Sequence, residues 1–513
     1  MVFWPTFIVL MVAMAISILD LERFLTVTRA LNNTILERFG WLFSYGSFYL
    51  VLLTITAYLS PLGKTIIGGA GSKPLLSKPR WFFITLCTTL AVGILFWTTS
   101  EPIYHLNAPP VSKGIEPGSD DAAAFSLSAM FLHWSFTPYA IYTIPSLTFA
   151  LAFYNRRLPF SISSSLRPVF GRLVLGKRAD LIDTLALSAL VTGMASSLGT
   201  GALSLIGGTG EFFDVSRNPL SLGIAILLIV ATFVWSAASG LHKGIARLSS
   251  INAMLLVALG LFALAVGPTL FLLGFSLTGL STYTSTFLEM SLFTGSIAGD
   301  AWPLQWSVFY WAVWFAWAPV SALFLGRLGR GYSVREYIRI NFLYPSLFAI
   351  VWISIFSGTA IHMDMIDPGL LNNVLQEHGP GKILYAVFAA FPLSAFTVPL
   401  LVFIAFVSFV TAADSNTDAI GRLCQKGVTA ESDEKTGIPA KVIWGAVIGL
   451  VSWTMVSFAG VAGIRMLSNL GGIAAVTIVL GTSLTLIRWL IKPPLLEKHE
   501  SVTKGVYAAK DYV

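Results

Sequence analysis

Long apolar runs separated by short polar loops follow one another along almost the whole chain. A helix needs about 20 residues to cross the roughly 30 Å hydrocarbon core of a bilayer, and twelve runs reach about that length. They cover residues 2–19, 41–59, 81–99, 122–153, 184–205, 220–239, 251–275, 306–325, 340–361, 383–411, 442–461 and 466–491. Backbone amides in lipid must be hydrogen-bonded within their own segment, and these runs are too long for barrel strands. The pattern predicts an all-α integral membrane protein with twelve transmembrane helices.

The composition agrees with this pattern. Of the 513 residues, 55% are hydrophobic and 11% are charged, whereas soluble domains carry about 25% charged residues. The net charge of +7 does not indicate a nucleic-acid-binding domain, because the basic residues are spread over short loops. Cys87 and Cys424 offer neither a disulfide framework nor a metal cluster. We expect the first run to be a helix rather than a cleavable leader, because it lacks a basic start and an Ala-x-Ala exit.

The distribution of basic residues predicts how the chain is oriented. With the N-terminus inside, 25 of the 32 lysines and arginines fall in the cytoplasmic loops and tail, and 7 fall in the outer loops. Cytoplasmic loops carry the excess of basic residues in membrane proteins. Both termini are therefore predicted to be cytoplasmic, which places the chain in a cytoplasmic membrane.

Several segments contain features that bend or connect helices. Two prolines interrupt each of the spans 122–153 and 383–411, which predicts tilts or kinks. The stretch 192–210 carries six glycines, which permit close approach of neighbouring helices. Residues 281–295 contain apolar positions but are too few to span, so they form either an interfacial helix on the outer face or a plain loop.

The eighth span carries four tryptophans within twelve positions, Trp306, Trp311, Trp314 and Trp317. Tryptophan prefers the headgroup region, so an interfacial belt is one interpretation. A belt occupies one level, whereas this run covers about 16 Å at 1.5 Å per residue. The last three tryptophans lie near one helix face, where they serve either packing or the binding of a cation.

The fourth span supplies further aromatic residues. Trp134 and Tyr142 are eight positions apart and share a helix face. An aromatic cage attracts a quaternary ammonium through the negative ring faces, which contributes about 0.5–2 kcal/mol per contact. A primary amine or a sugar would need polar side chains that these spans scarcely offer. The pattern therefore favours a methylated onium group as the ligand.

Ionisable residues in or beside the spans are Glu101, His133 and Asp414, and each is costly in lipid. Glu101 and Asp414 lie at the ends of predicted spans, where solvated or helix-capping roles are expected. His133 is interpreted either as a proton relay or as a structural hydrogen-bonding group. Arg330 lies in an arginine-rich cytoplasmic loop. It either only contributes to the excess of basic residues on the cytoplasmic side or also forms a cytoplasmic gate by pairing with carboxylates.

Several dispersed stretches together resemble the betaine/carnitine/choline transporter family. They are FWTTSEPIYH (96–105), LHWSFTPYAIY (132–142), SGLHKGIARLSSIN (239–252), YWAVWFAWAPVSALFLGRLGRGYSVREYI (310–338), SGTAIH (357–362) and FVTAADSNTDAIG (409–421). Because these matches occur in order over nearly the whole chain, they are more specific than the tryptophan cluster alone.

The resemblance implies a LeuT-like fold, a five-plus-five inverted repeat preceded by two peripheral helices. On this chain the segments are 1–80 for the peripheral helices, 81–276 for the first repeat, 277–303 for an outer connecting segment, 304–491 for the second repeat and 492–513 for a short cytoplasmic tail. Such repeats hold the substrate near the bilayer midplane and alternate its access by rocking one bundle against the other. The resemblance also implies a homotrimer.

The resemblance further implies a substrate site between the fourth and eighth spans. Carried over residue by residue, its members are Trp134, Tyr139, Tyr142, Trp311, Trp314 and Trp317, with Phe96 as a gate. Many family members have tryptophan where this chain has Tyr139. The aromatic face is therefore smaller here and gains a hydroxyl, which leaves the exact solute open.

No cofactor is expected, and the coupling ion is open. Sodium-coupled relatives hold the ion with a glycine-rich stretch of the third span and a Thr-Ser pair of the tenth. Here the stretch reads TTLAVG (88–93) and the pair reads Thr411-Ala412, so one hydroxyl is missing and Thr411 remains a candidate ligand. Proton coupling through His133 and substrate exchange are the alternatives. The absence of a carboxylate from 88–93 favours zwitterions over a bare cation such as choline.

The sequence therefore predicts a secondary transporter of a betaine-, carnitine- or choline-type solute. It does not predict an enzyme, because the six histidines form no pair at metal-ligand spacing along the chain. The alternatives are symport or exchange of an amino acid, ectoine or a sulfonium compound, and a non-transporting receptor on the same scaffold. The expected partners are the small solute and membrane lipid, without nucleic acid.

Overall fold

The computed structural model describes residues 2–89, 91–210, 212–213, 215–238, 242–424 and 438–494. Within these ranges the protein is helical, apart from loops and an isolated bridge between Ile66 and Ser333. The predicted tail lies outside the described residues beyond position 494. The α-helices are α1 (Phe3–Leu19), α2 (Leu21–Leu59), α3 (Lys78–Thr89), α4 (Ala91–Asn107), α5 (Asp120–Trp134), α6 (Phe136–Ala150), α7 (Arg167–Phe170), α8 (Lys177–Thr209), α9 (Pro219–Ala238), α10 (His242–Val266), α11 (Thr269–Ser291), α12 (Trp302–Gln305), α13 (Ser307–Leu328), α14 (Val334–Ile338), α15 (Tyr344–Ile366), α16 (Leu370–His378), α17 (Ile383–Ala389), α18 (Ser394–Leu423) and α19 (Ile438–Ile491).

Many of these helices are long and apolar enough to cross a bilayer. Among the described residues there are eight such spans, or ten if each of two bent pairs forms one span. The bent pairs are α3 with α4, at an angle of 57°, and α10 with α11, at 108°. α1 is apolar but shorter, with 17 residues. The protein is a multi-pass membrane protein built from helices.

The predicted span 251–275 is not one continuous helix. α10 ends before Gly267 and Pro268, and α11 leaves at 108° to it. Pro268 has no N–H to donate into a continuing helix, so the backbone turns here. The prediction of one continuous helix over residues 251–275 is therefore wrong. α11 extends to Ser291, which makes most of the segment 281–295 helical and excludes the plain loop there.

The predicted span 122–153 divides at Ser135, between α5 and α6. Ser135 has non-helical dihedrals, φ −110° and ψ −117°, and its N–H still bonds to the carbonyl of Phe131 at 3.1 Å. Pro138 falls in the first turn of α6, where a missing N–H costs no helical hydrogen bond. The bend predicted for this span is therefore present, and it lies at Ser135, next to Trp134, rather than at a proline.

The predicted span 383–411 is also broken. α17 and α18 are separated by residues 390–393, which include Pro392 and end with Leu393 at φ +62°. Pro399 lies inside α18 without ending it. The kink predicted for this span is confirmed at Pro392.

The last two predicted spans are joined in α19. This helix has 54 residues, or about 80 Å at 1.5 Å per residue, which is more than twice the hydrocarbon thickness. Gly460 interrupts it with φ +57° and ψ −135°, a conformation that glycine adopts without a steric penalty. α19 therefore consists of two helical halves that meet at Gly460.

Glycines let α8 pack closely against its neighbours. A Cβ atom on Gly201 would lie 2.7 Å from the ring of Phe409, and one on Gly207 would overlap the carbonyl oxygen of Gly381. Side chains cannot approach this closely, so only glycine fits at these positions. The close packing predicted for the stretch 192–210 is confirmed, and it holds α8 beside the buried helix α13.

The substitution Gly207→Ala tests this packing. Overpacking against a backbone carbonyl should lower the free energy of unfolding by about 1–3 kcal/mol, which outweighs the gain of about 1 kcal/mol from helix propensity. The measurement is the melting temperature of purified protein in detergent. Gly274→Ala in α11 is the control, because a Cβ there meets no atom within 4 Å. Equal melting temperatures for the two variants would contradict the packing of α8 on Gly381.

Candidate functional site

The tryptophan-rich helix α13 lies inside the bundle, packed against α6, α8 and α19. The exposed fractions of Trp306, Trp311, Trp314 and Trp317 are 5%, 0%, 4% and 8%. A belt at the membrane interface would leave these rings on the outside of the bundle. The belt interpretation is therefore wrong for all four, and α13 carries its aromatic side chains into the protein interior.

A cavity of about 50 Å³ lies beside these tryptophans. One water needs roughly 10–15 Å³, so the cavity has room for about four groups of that size. Aromatic side chains come mainly from α13, and hydroxyl groups come from α3 and α8. The lining residues are Thr88, Thr89, Gly93, Trp97, Trp134, Tyr142, Ser196, Ser197, Thr200, Phe309, Tyr310, Val313, Trp314, Trp317 and Ile464. None of these lining residues carries a charge.

Three rings form what we call the aromatic cage, Trp134, Tyr142 and Trp314. The ring centroids of Trp134 and Trp314 are 5.4 Å apart with an interplanar angle of 84°, and those of Tyr142 and Trp314 are 5.6 Å apart at 88°. Perpendicular rings present a ring face beside a ring edge. A small cation in the cavity can therefore contact negative ring faces from more than one direction.

The structure brings together four of the seven aromatic residues predicted for the site. The three cage residues and Trp317 line the cavity. Tyr139, Trp311 and Phe96 are at most 2% exposed and lie outside the lining. Trp311 packs against His133, with ring centroids 5.6 Å apart. Phe96 packs on its neighbour Trp97, with centroids 4.9 Å apart, and it is Trp97 that reaches the cavity.

Glu101 is a buried residue whose position the sequence analysis predicted wrongly. α4 continues to Asn107, so Glu101 lies within the helix and is 0% exposed, rather than solvated or capping at a span end. Its Oε1 lies 2.6 Å from His133 Nδ1 and 3.1 Å from His105 Nε2. Its Oε2 accepts a hydrogen bond from Trp134 Nε1 at 2.7 Å. Several charge-assisted hydrogen bonds thus compensate the loss of hydration around this carboxylate.

This buried network orients the aromatic cage. Trp134 donates directly to Glu101, and Trp314 Nε1 donates to the backbone carbonyl of His133 at 3.1 Å. The His133 ring also stacks on Tyr310, at 4.8 Å and 21°, and its Nε2 lies 3.0 Å from Ser307 Oγ. A change in the charge of Glu101 would therefore reach Trp134 through one hydrogen bond, and a movement of His133 would displace the carbonyl that holds Trp314.

The network also groups potential metal ligands. One ligand atom each of Glu101, His105 and His133 lies within 4.8 Å of the others. Sequence spacing did not reveal this group, because His105 and His133 come from different helices and meet only in the fold. Glu101 Oε1 already accepts from both imidazoles, so a metal ion would have to replace these hydrogen bonds.

The remaining predicted residues lie away from the cavity. Thr411, in α18, is buried and donates to the carbonyls of Val407 and Ser408 at 2.9 and 3.1 Å. Arg330 lies with its guanidinium carbon 5.9 Å from the ring of Tyr154, a contact with an aromatic ring rather than with a carboxylate. The carboxylate of the same loop, Glu336, pairs with Lys78 at 2.5 Å.

Asp414 also differs from its expected role. It lies inside α18 rather than at a helix end, and its side chain is 13% exposed. Its Oδ1 forms an ion pair with Lys441 Nζ at 3.1 Å. The prediction of a solvated or capping residue is therefore wrong, and Asp414 connects α18 to the first half of α19.

Comparison with known proteins gives a consistent result over the full length. A family model described as betaine/carnitine/choline family transporter matches residues 1–494. The chain is 29% identical over 448 residues to a probable glycine betaine transporter of Desulfitobacterium hafniense, covering 87% of this chain and 88% of the relative. It is 30% identical over 475 residues to an ectoine/hydroxyectoine transporter of Virgibacillus pantothenticus, covering 92% of each. An osmo-independent choline transporter of Acinetobacter baylyi is 28% identical over 477 residues, covering 91% of this chain and 89% of the relative.

The substitution Glu101→Gln tests the buried network. The neutral amide directs N–H groups at imidazoles that now face a carboxylate, so the free energy of unfolding should fall by about 3–5 kcal/mol, as for other broken buried pairs. The melting temperature in detergent measures the effect. Glu289→Gln is the matched control, because Glu289 is 63% exposed in its pair with Lys113 and such pairs contribute little. A loss no larger than that of the control would mean that the carboxylate is not held as described.

Proposed function

Because the chain belongs to the betaine/carnitine/choline transporter family, we propose that it carries a small quaternary-ammonium or zwitterionic compatible solute through the aromatic cavity by alternating access. The protein is a transporter and not an enzyme. The observation that carries the proposal is the cage of Trp134, Tyr142 and Trp314 around a cavity that holds about four water-sized groups. Perpendicular aromatic rings bind a trimethylammonium head without a carboxylate.

The second part of the cavity supports a solute that also carries a polar or anionic group. Ser196, Ser197 and Thr200 of α8 and Thr88 and Thr89 of α3 bring hydroxyl groups to the lining. Hydroxyl donors suit the carboxylate of a betaine, a carnitine or ectoine, whereas choline offers them one hydroxyl group. The relatives named for glycine betaine and for ectoine support this class of zwitterionic solutes.

The proposed topology has twelve spans with both termini in the cytoplasm of a bacterial cell and the protein in its inner membrane. Ten spans follow from the apolar helices when each bent pair counts once. The break at Gly460 makes two spans of α19, and α1 supplies the last. The excess of basic residues in alternate loops supports the orientation. The five-plus-five inverted repeat and the homotrimer rest on the family resemblance.

The proposed coupling ion is the proton, and the buried network of Glu101, His105 and His133 supports this choice. These groups are titratable and enclosed by protein; the Glu101 carboxylate accepts a hydrogen bond from Trp134, and the backbone carbonyl of His133 accepts one from Trp314. A proton taken up there would change the orientation of the rings that bind the solute. A sodium site at Thr411 has less support, because its hydroxyl donates to two backbone carbonyls and the following residue is Ala412.

Uptake of labelled glycine betaine into proteoliposomes tests the transported solute. Trp314→Ala removes the ring shared by both perpendicular pairs and should weaken apparent affinity about 2- to 30-fold, equivalent to one cation–π contact. Trp235→Ala is the control, since Trp235 is 67% exposed on the outside of the bundle and should leave uptake unchanged. Glycine betaine, choline, carnitine and ectoine are compared. No transport of any of them by folded protein would overturn the proposed function.

The same vesicles test the coupling ion when a proton gradient, a sodium gradient or preloaded solute is imposed separately. We expect a proton gradient to drive accumulation, and His133→Gln to abolish this accumulation while exchange of preloaded solute persists. His378→Gln is the matched control, because the side chain of His378 is 50% exposed. Accumulation driven by sodium and lost in Thr411→Ala would contradict proton coupling, as would accumulation that needs preloaded solute.

A further inference from the structure

Arg465 is a cation inside the bundle that the proposed mechanism does not use. The count of loop charges placed it in an outer loop, but the structure places it in α19, five residues after the break at Gly460. Its guanidinium carbon lies 4.4 Å from the ring centroid of Trp306 and 5.2 Å from that of Phe309. These two rings are 5% and 1% exposed, so the charge lies on buried aromatic surface.

The charge of Arg465 has no anionic partner among the described residues. Its Nε is buried without a hydrogen-bond acceptor, and no described carboxylate forms an ion pair with it. Glu101 attracts it from beyond ion-pair distance, but both oxygens of Glu101 already accept hydrogen bonds from other groups. A cation–π contact offsets only part of the cost of removing a guanidinium from water. The site is therefore favourable for an additional anion.

Arg465 is separated from the cavity by one layer of side chains. The preceding residue, Ile464, lines the cavity, and so does Phe309, on whose ring the guanidinium lies. Trp97, another lining residue, contacts the rings of both Trp306 and Phe309, at centroid distances of 6.2 and 5.8 Å. The positive charge thus adjoins the part of the lining formed by these rings and Ile464.

The negative charge of Glu101 adjoins a different part of the cavity lining. Glu101 accepts a hydrogen bond from Trp134, whose ring belongs to the aromatic cage. A solute in the cavity is therefore one ring away from a carboxylate at Trp134 and one ring away from a guanidinium at Phe309. A molecule that carries both an ammonium and a carboxylate can place its ammonium in the cage and its carboxylate toward Phe309.

We propose, on the basis of the proposed function, that Arg465 is a specificity-determining residue that selects zwitterionic solutes over cationic ones. Its charge orients the carboxylate of the solute toward Phe309 while the ammonium occupies the aromatic cage. A quaternary ammonium without a carboxylate, such as choline, gains contacts at the cage and is repelled by Arg465. At an effective dielectric constant of about 20 and a separation of roughly 10 Å, one unit charge changes the affinity by about tenfold.

Competition against labelled glycine betaine in proteoliposomes tests this selection with the wild-type protein first. The competitors are unlabelled glycine betaine, its methyl ester and choline, which share the trimethylammonium head and differ in the carboxylate. We expect the ester and choline to compete at least about tenfold more weakly than glycine betaine. Equal competition by the ester would overturn the inference even though glycine betaine is transported, whereas no transport of any of these compounds would instead overturn the proposed function.

Variants of Arg465 test the residue itself. Arg465→Gln should lower the affinity for glycine betaine about tenfold, raise the affinity for choline, and bring the affinity for the ester close to that for glycine betaine. Arg465→Lys keeps the charge and should keep the wild-type order of affinities. Arg38→Gln is the matched control, because Arg38 is exposed and should leave the order of affinities unchanged. If Arg465→Gln is inactive in vesicles, equilibrium binding of the three compounds to detergent-purified protein replaces uptake. An unchanged order of affinities in Arg465→Gln, by either measurement, would overturn the assignment.

Discussion

The buried carboxylate of Glu101 constrains the rest of the site. A charged group inside a low-dielectric bundle costs several kcal/mol unless donors surround it, and here two imidazoles and an indole do so. Two of these donors have a further structural consequence. His133 presents its carbonyl to Trp314, and the ring of Trp134 lies so close to the backbone of α4 that a Cβ on Gly93 would be 2.8 Å from it. The aromatic cage is therefore positioned by a polar network as well as by packing.

Two breaks in long helices lie next to this site, and the membrane environment explains their location. Unsatisfied backbone groups in lipid cost several kcal/mol, so irregular backbone at membrane depth is tolerated where protein encloses it. Ser135 is fully buried, keeps its N–H bonded to Phe131, and directly follows the cage residue Trp134. Gly460 precedes Ile464 and the buried Arg465. Both breaks thus place functional side chains at the ends of helical segments, which is the usual arrangement of transporter sites.

Hydropathy predicted most of the helices, helical spacing grouped the aromatic residues on two helix faces, and the family resemblance selected Trp134, Tyr142 and Trp314 for the cage. They failed where tertiary partners decide the outcome. The third apolar run was ended before Glu101, because a run of polar residues lowers the local hydropathy, yet α4 continues since His105 and His133 satisfy that carboxylate. Hydropathy also reports where a chain is apolar but not in which direction a helix runs. The 108° turn between α10 and α11 was therefore missed. Pairings between separate helices are absent from any one-dimensional pattern.

The proposed positions of Glu101 and Arg465 show how a cavity with an uncharged lining can still distinguish charges. Both residues are separated from the cavity by a single aromatic ring, and an aromatic layer has a much lower dielectric constant than water and so screens a field weakly. A dipolar solute with its ammonium in the aromatic cage and its carboxylate toward Phe309 gains binding free energy at both ends. A monovalent cation gains binding free energy at the cage but is repelled by Arg465. The ring contacts would then determine that an onium head binds, and the two buried charges would determine which group the rest of the solute must carry. In this proposal, affinity and selectivity depend on different residues of the same site.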